Sequence, residues 1–136
     1  MSAMTASRTA AADLVLGAYA AFARGDVPAV LAALDEDIRW DSPQGLPWSH
    51  GVHVGRDAVA GYFARLLQHV DAPSVECEEL IDGGDGRIAS VGRLRGTIRA
   101  TGAPLDTPFV HLWTIRDGRA VGMRGVLDTA AFARKA

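Results

Sequence analysis

The chemistry open to this 136-residue chain rests on a few side chains, because four histidines and one cysteine stand among 16 carboxylates. His111 lies in the run Phe109-Val110-His111-Leu112-Trp113-Thr114-Ile115, where strand alternation puts Phe109, His111, Trp113 and Ile115 on one face. An imidazole held between aromatic rings can move a proton near neutral pH. It can equally be a core histidine satisfied by one hydrogen bond. The acid–base reading asks for a carboxylate partner. Asp128, at the end of the last strand, is the first candidate, although a hairpin turning at Asp117-Gly118 sets residue 124 opposite His111, so Asp128 needs a bulge or curvature to come close. Standing before Thr129, Asp128 also reads as a helix N-cap. Asp41, after Trp40 and before Ser42-Pro43, is the second candidate: enclosed beside an indole, its pKa would rise by desolvation, while in the open it would be a turn aspartate. Tyr19 offers a phenol to a ligand oxygen, or is an interior tyrosine with a wet hydroxyl.

Other reactive groups lead elsewhere. His50 and His53 sit three apart in a loop with no carboxylate or thiolate in register, so no metal is expected. Cys77 lies between Glu76 and Glu78, which disfavour a thiolate, and as a lone cysteine it makes no internal disulfide. Arg93, Arg95 and Arg99 alternate along one strand and mark a solvated or dimer-facing surface. Gly83-Gly84-Asp85-Gly86 opens a strand rather than a helix, which fails the test for a phosphate loop, and no G-x-S-x-G elbow occurs. No cofactor is implied. Fourteen basic residues leave a formal charge of −2, which gives nucleic acid no basic field to bind. The longest apolar stretch, Leu14 to Ala23, is too short to cross a bilayer, and Asp13 breaks the run a secretory signal would need. The expectation is a cytoplasmic protein acting on a small molecule.

These groups must be positioned by one domain. With 49% hydrophobic and 22% charged residues the chain reads as an ordinary globule. Residues 1–8 form a loose arm and residues 9–136 a single domain. From Thr9 the spacing of Leu14, Ala18, Ala21 and Phe22 is helical, and Gly25 ends that helix. Asp26 caps a second helix whose end is the acidic run Asp35-Glu36-Asp37, followed by a short strand over 38–41. Residues 42–55 read as an irregular loop carrying Trp48, His50 and His53. Such a length in a compact domain suggests a functional rim or lid over an apolar cavity. A third helix runs over 56–70. Strands follow over 74–81, 87–100, 107–116 and 120–127, then a last helical turn over 129–135. The order α-α-β-α-β-β-β-β makes this α+β, with helices packed on one face of a curved, mainly antiparallel sheet.

Several segments in this order resemble the SnoaL-like, ketosteroid-isomerase-like branch of the NTF2-like superfamily: Tyr19-Ala20-Ala21-Phe22-Ala23-Arg24-Gly25-Asp26, Trp40-Asp41-Ser42-Pro43, Gly51 to Gly55, Phe109-Val110-His111, Arg116-Asp117-Gly118-Arg119 and Asp128-Thr129. The likeness spans roughly residues 10 to 133. It implies a cone with three helices closing a bent sheet around a deep apolar pocket, commonly in a homodimer. Where ketosteroid isomerases carry a base Asp, an oxyanion-hole Asp and a Tyr, this chain has Ser42, His111 and Ala18, with Tyr19 one position off. Related cyclases take an acid/base Asp from the strand that here holds His111. Limonene-type epoxide hydrolases place a carboxylate near Asp128, but their middle Arg is replaced by Phe109. What the resemblance implies is a His111–Asp128 or His111–Asp41 pair with Tyr19, in a pocket lined by Trp40, Trp48, His50, Phe63, Phe109, Trp113, Met123 and Leu127. The expected activity is cofactor-free isomerisation, cyclisation or water addition on a small apolar molecule of polyketide, terpenoid or steroid type. The alternative is a non-catalytic small-molecule binder of the same fold.

Overall fold

The computed structural model describes residues 9–135, so the expected arm over residues 1–8 lies outside them. The elements run α1 (Ala10–Ala23), α2 (Val27–Ala32), β1 (Leu34–Asp41), β2 (Val52–Val54), α3 (Arg56–His69), β3 (Val70–Asp82), β4 (Arg87–Ile98), β5 (Pro104–Arg116), β6 (Arg119–Leu127) and α4 (Thr129–Lys135). Thr9 caps α1 by accepting the Ala12 N–H at 3.1 Å, and Asp26 caps α2 by accepting the Ala29 N–H at the same distance. Both helices then turn their small and aromatic faces inward, where Ala12, Val15, Tyr19, Phe22 and Val30 are buried.

The six strands form one sheet in the order β2-β1-β6-β5-β4-β3, antiparallel throughout except for the parallel β1–β6 pair. Its inner face carries Trp40, Met123, Trp113 and Ile88 as direct cross-strand neighbours, all buried. Trp40 meets Tyr62 and Phe63 of α3 at edge-to-face angles, lying 5.5 Å from Phe63 and 5.7 Å from Tyr62. The core therefore sits between the concave face of the sheet and α1 and α3.

Three expectations change. The acidic run Asp35-Glu36-Asp37 lies in β1 rather than ending α2, because Leu34 and Ile38 are fully buried in the strand and leave the carboxylates outside. Residues 42–55 are not wholly irregular: β2 pairs with β1, and Ser42 N–H donates to Gly51 O at 2.8 Å, closing the loop at its base. The final turn is a seven-residue helix, α4, which makes four helices instead of three. It brings Phe132 edge-on to Trp48 at 5.1 Å.

Candidate active site

The register of β5 places the site. His111 lies opposite Ser90 on β4 and Gly125 on β6. The expected partner position was 124. The pairing slips by one between Thr114 and Ile115, where Ala120 and Gly122 face consecutive β5 residues and Val121 is left as the extra residue. The slip puts a glycine beside the imidazole. A Cβ at Gly125 would stand 3.3 Å from His111 Cδ2, so the missing side chain makes room for the ring. Phe109 stacks against the imidazole at a tilt of 33°, with centroids 4.2 Å apart.

Helix α1 lowers Tyr19 onto this strand. The phenol oxygen lies 2.6 Å from His111 Nδ1 and 2.5 Å from Ser90 Oγ, and it accepts from Trp113 Nε1–H at 3.0 Å. Three polar groups thus converge on a single oxygen that has one proton to give. The protons can be arranged in two ways. If Ser90 donates to Tyr19, the phenol donates to His111 Nδ1, and the other ring nitrogen, Nε2, carries the proton. If His111 Nδ1 carries the proton, it donates to the phenol, which donates to Ser90, and Nε2 is a bare lone pair. The two arrangements differ by one proton moved from Nε2 to the Ser90 end, so passing protons along Ser90-Tyr19-His111 turns Nε2 from a donor into a base as Nε2 gives up its own proton and Ser90 takes one up.

Burial sets the electrostatics. It drives the His111 pKa from the ordinary 6.5 down to about 3, so the ring is neutral at physiological pH. Tyr19 is raised well above its usual value, chiefly by burial and against the pull of its Ser90 and Trp113 hydrogen bonds, so it stays a phenol. The node is neutral, and charge would arise there only with a ligand.

Around it lies a cavity of about 70 Å³ lined by Tyr19, Phe22, Trp40, Trp48, Phe63, Phe109, His111, Trp113 and Leu127, and also by Tyr62, Leu66, Val75 and Leu94. Trp48 is the roof: it is 1% exposed, and its carbonyl accepts from Arg65 Nε at 3.3 Å. Tyr62 was missed in the sequence. Its hydroxyl meets Ser42 Oγ at 3.2 Å, forming a second polar point beside Trp40, whose Nε1–H is buried with no partner among the described residues. The one legible signal for Tyr62 was its place next to Phe63 on the apolar stripe of α3.

Other expected members fall elsewhere. Asp41 does not reach the cavity, because Trp40 points inward and alternation sends the next side chain to the opposite face of the sheet. His50 is exposed on the loop, its backbone N–H donating to His53 Nε2 at 3.3 Å. Met123 is buried in the core without lining the cavity. Among the described residues no cluster of His, Cys, Asp or Glu is suited to hold a metal.

Asp128 lies past the end of β6, where its Oδ1 accepts the N–H groups of Ala130 (3.0 Å) and Ala131 (3.2 Å). It is the N-cap of α4. His111 Nδ1 is served by a phenol instead, and the expected His111–Asp128 pair is not formed. Asp128→Asn, which keeps a capping oxygen, is expected to match the parent in turnover, while Asp128→Ala loses about 1 kcal/mol in urea unfolding. A large loss of turnover in Asp128→Asn at full stability would restore the carboxylate to the reaction.

A concave antiparallel-rich sheet, closed by helices over an apolar cavity with a hydrogen-bonded floor, defines an α+β small-molecule pocket protein. The profile of the SnoaL-like domain matches residues 15–123. The chain belongs to that family, and its fold is NTF2-like. An uncharacterised protein of Mycobacterium tuberculosis (strain H37Rv) is 34% identical over 111 residues, covering 79% of this chain and 80% of that one. An NTF2-like protein of unknown function from Burkholderia pseudomallei superposes with a TM-score of 0.86 at 34% identity, over 94% of this chain and 98% of the other. TerC, co-crystallised with polyporic acid, gives 0.84 at 27% identity over 93% and 98%. No described helix is long and apolar enough to cross a membrane.

Proposed function

We propose that this protein performs cofactor-independent acid–base chemistry on a small, largely apolar molecule bearing one polar oxygen. His111 handles the proton, and Tyr19 and Ser90 set its tautomer. The observation that carries this reading is the Ser90-Tyr19-His111 chain at the floor of an aromatic cavity. In its base form Nε2 takes a proton from carbon while the electron pair moves onto the ligand's oxygen. The resulting imidazolium, which an empty apolar cavity penalises, then has an anion beside it as counter-charge. Return of that proton to a second carbon completes an isomerisation; in a cyclisation the new carbon nucleophile attacks an internal carbonyl, whose π electrons move onto its oxygen, and that alkoxide takes the proton back from the imidazolium. The protonated form of Nε2 would instead polarise an oxygen for water addition.

The volume of about 70 Å³ is roughly half that of a cavity known to hold one benzene ring (about 150 Å³), so even a one-ring ligand requires the lining side chains to give way. A polyketide, terpenoid or steroid of several rings requires the Trp48 loop to swing out. That TerC was co-crystallised with polyporic acid supports an organic ligand. The exposed pair Val110 and Val126, neighbours on the outer face of β5 and β6, supports a homodimer. We place the protein in the cytoplasm.

A non-catalytic binder is favoured by one observation, the lack of a carboxylate on His111. A one-ring β,γ-unsaturated ketone, 3-cyclohexenone, separates the two readings. The wild type should speed its conversion to the conjugated enone, followed by ultraviolet absorbance, and His111→Gln should not. Binding of the ketone at the buffer rate of conversion would make the protein a binder.

A further inference from the structure

A second set of hydrogen-bond donors lines the aromatic cavity, apart from the Ser90-Tyr19-His111 chain. Trp40 of β1 and Tyr62 of α3 both face it, 5% and 7% exposed. Their rings meet edge to face at 5.7 Å, and His53, the cross-strand neighbour of Trp40, braces Tyr62 from β2 at 5.3 Å. Trp40 also meets Trp113 at 5.8 Å, and Trp113 is tied to Tyr19. The two polar points are therefore linked through this pair of indoles.

Trp40 Nε1–H has no partner among the described residues. An indole nitrogen donates and never accepts, so only an acceptor can satisfy it. Tyr62 shares one hydrogen bond with Ser42 Oγ, in which either hydroxyl can donate. When Ser42 donates, the phenol proton is left for another acceptor. Burial keeps the Tyr62 phenol protonated, against the pull of Ser42 and of the Trp40 and Trp48 indoles, which places both indoles close to the phenol oxygen. Two donors thus stand side by side in an otherwise apolar wall, where an unmet N–H is costly.

We propose that Trp40 Nε1–H and the Tyr62 hydroxyl seat the oxygen of the ligand, and that this oxygen is a carbonyl. A carbonyl oxygen has two lone pairs and no proton, which matches two donors. An ammonium group would meet the indole N–H head-on and be rejected. The seat rests on the functional reading above, in which the ligand is small, largely apolar and carries one oxygen, and it narrows that ligand to an aldehyde or ketone. With the oxygen held by these donors, His111 Nε2 is left free to face carbon. The electron pair that moves onto oxygen then arrives beside two hydrogen-bond donors.

The test is an NMR titration of the isotopically labelled full chain with cyclohexanone, which lacks the double bond that turnover needs. Methylenecyclohexane, the same ring with a CH2 group in place of the oxygen, is the control. Three tryptophans give three indole N–H signals, and Trp113, already bonded to Tyr19, is the internal reference. The Trp40 signal, assigned by its loss in Trp40→Phe, is expected to move downfield with the ketone and not with the hydrocarbon. Tyr62→Phe, which keeps the ring, should weaken ketone binding about fivefold and leave hydrocarbon binding unchanged. A Trp40 signal that responds alike to both ligands, or to neither, overturns the proposal. So does a ketone that moves the His111 ring nitrogens while Trp40 stays in place, which would seat the oxygen at Nε2. Turnover is read separately. The Trp40 shift without conversion of 3-cyclohexenone supports the seat in a non-catalytic binder, and conversion without the shift overturns the seat alone.

Discussion

His111→Gln is expected to fold and to lose on the order of a hundred-fold or more of turnover on the probe ketone, the usual cost of removing an acid–base group. Glutamine can still reach Tyr19 through an amide but cannot exchange a proton at Nε2. The variant therefore separates proton transfer from hydrogen bonding. The same residue sets a pH signature. Its folded pKa of about 3 lies below the unfolded 6.5, so between those values the unfolded chain binds a proton that the folded chain does not. Stability from this source is complete above pH 6.5 and drains away as the pH falls toward 3, by at most about 1.4 kcal/mol per pH unit. The ring's partial opening onto the cavity reduces that slope. His53, whose pKa burial also lowers, adds to the same trend. Urea unfolding followed across this window should give a steeper acid loss in the wild type than in His111→Gln. Turnover should stay level from about pH 5 to 8, because the ring is already neutral there. Equal slopes in the two proteins, or an activity limb near 6.5 that His111→Gln abolishes, would mean the imidazole is solvated and titrates normally.

Gly92→Ala is expected to cost about 3 kcal/mol or more, or to prevent folding. Gly92 lies on β4 opposite Phe109, at the point where the β3–β4 register slips between Cys77 and Glu79. A Cβ there would stand 1.8 Å from the carbonyl oxygen of Glu76 and 3.1 Å from Cys77 Cα. Both belong to the backbone of the neighbouring strand, so no rotamer change relieves the clash. β3 must move, and Val75 on that strand lines the cavity. Gly122→Ala is the control. Its Cβ meets ordinary contact distances on the outer face, and its stability should stay within about 0.5 kcal/mol of the parent. A Gly92→Ala protein as stable as this control would show that the bulge is pliable.

Much of this architecture was legible in the sequence because it is written in short-range periodicity. The alternation of Phe109, His111 and Trp113 gave their common inner face, Asp117-Gly118 gave the last hairpin, and the helical stripes gave α1 and α3 within a few residues. The element order alone carried the α+β class, and the ordered motifs carried the family. Local pattern also named Tyr19 and His111, since a phenol and an imidazole on inward faces have few other uses. It could not say that they touch. That contact joins residues 92 positions apart and depends on how α1 lies across the sheet. The partner of His111 turned on a single extra residue, Val121, because a slip of one position replaces every cross-strand neighbour beyond it. Asp41 was lost to the cavity by the parity of β1, and Asp128 by the start of α4. In each case a residue's type was fixed by the chain and its company by the packing, since strand registers and helix placements are decided by the whole sheet closing on its core.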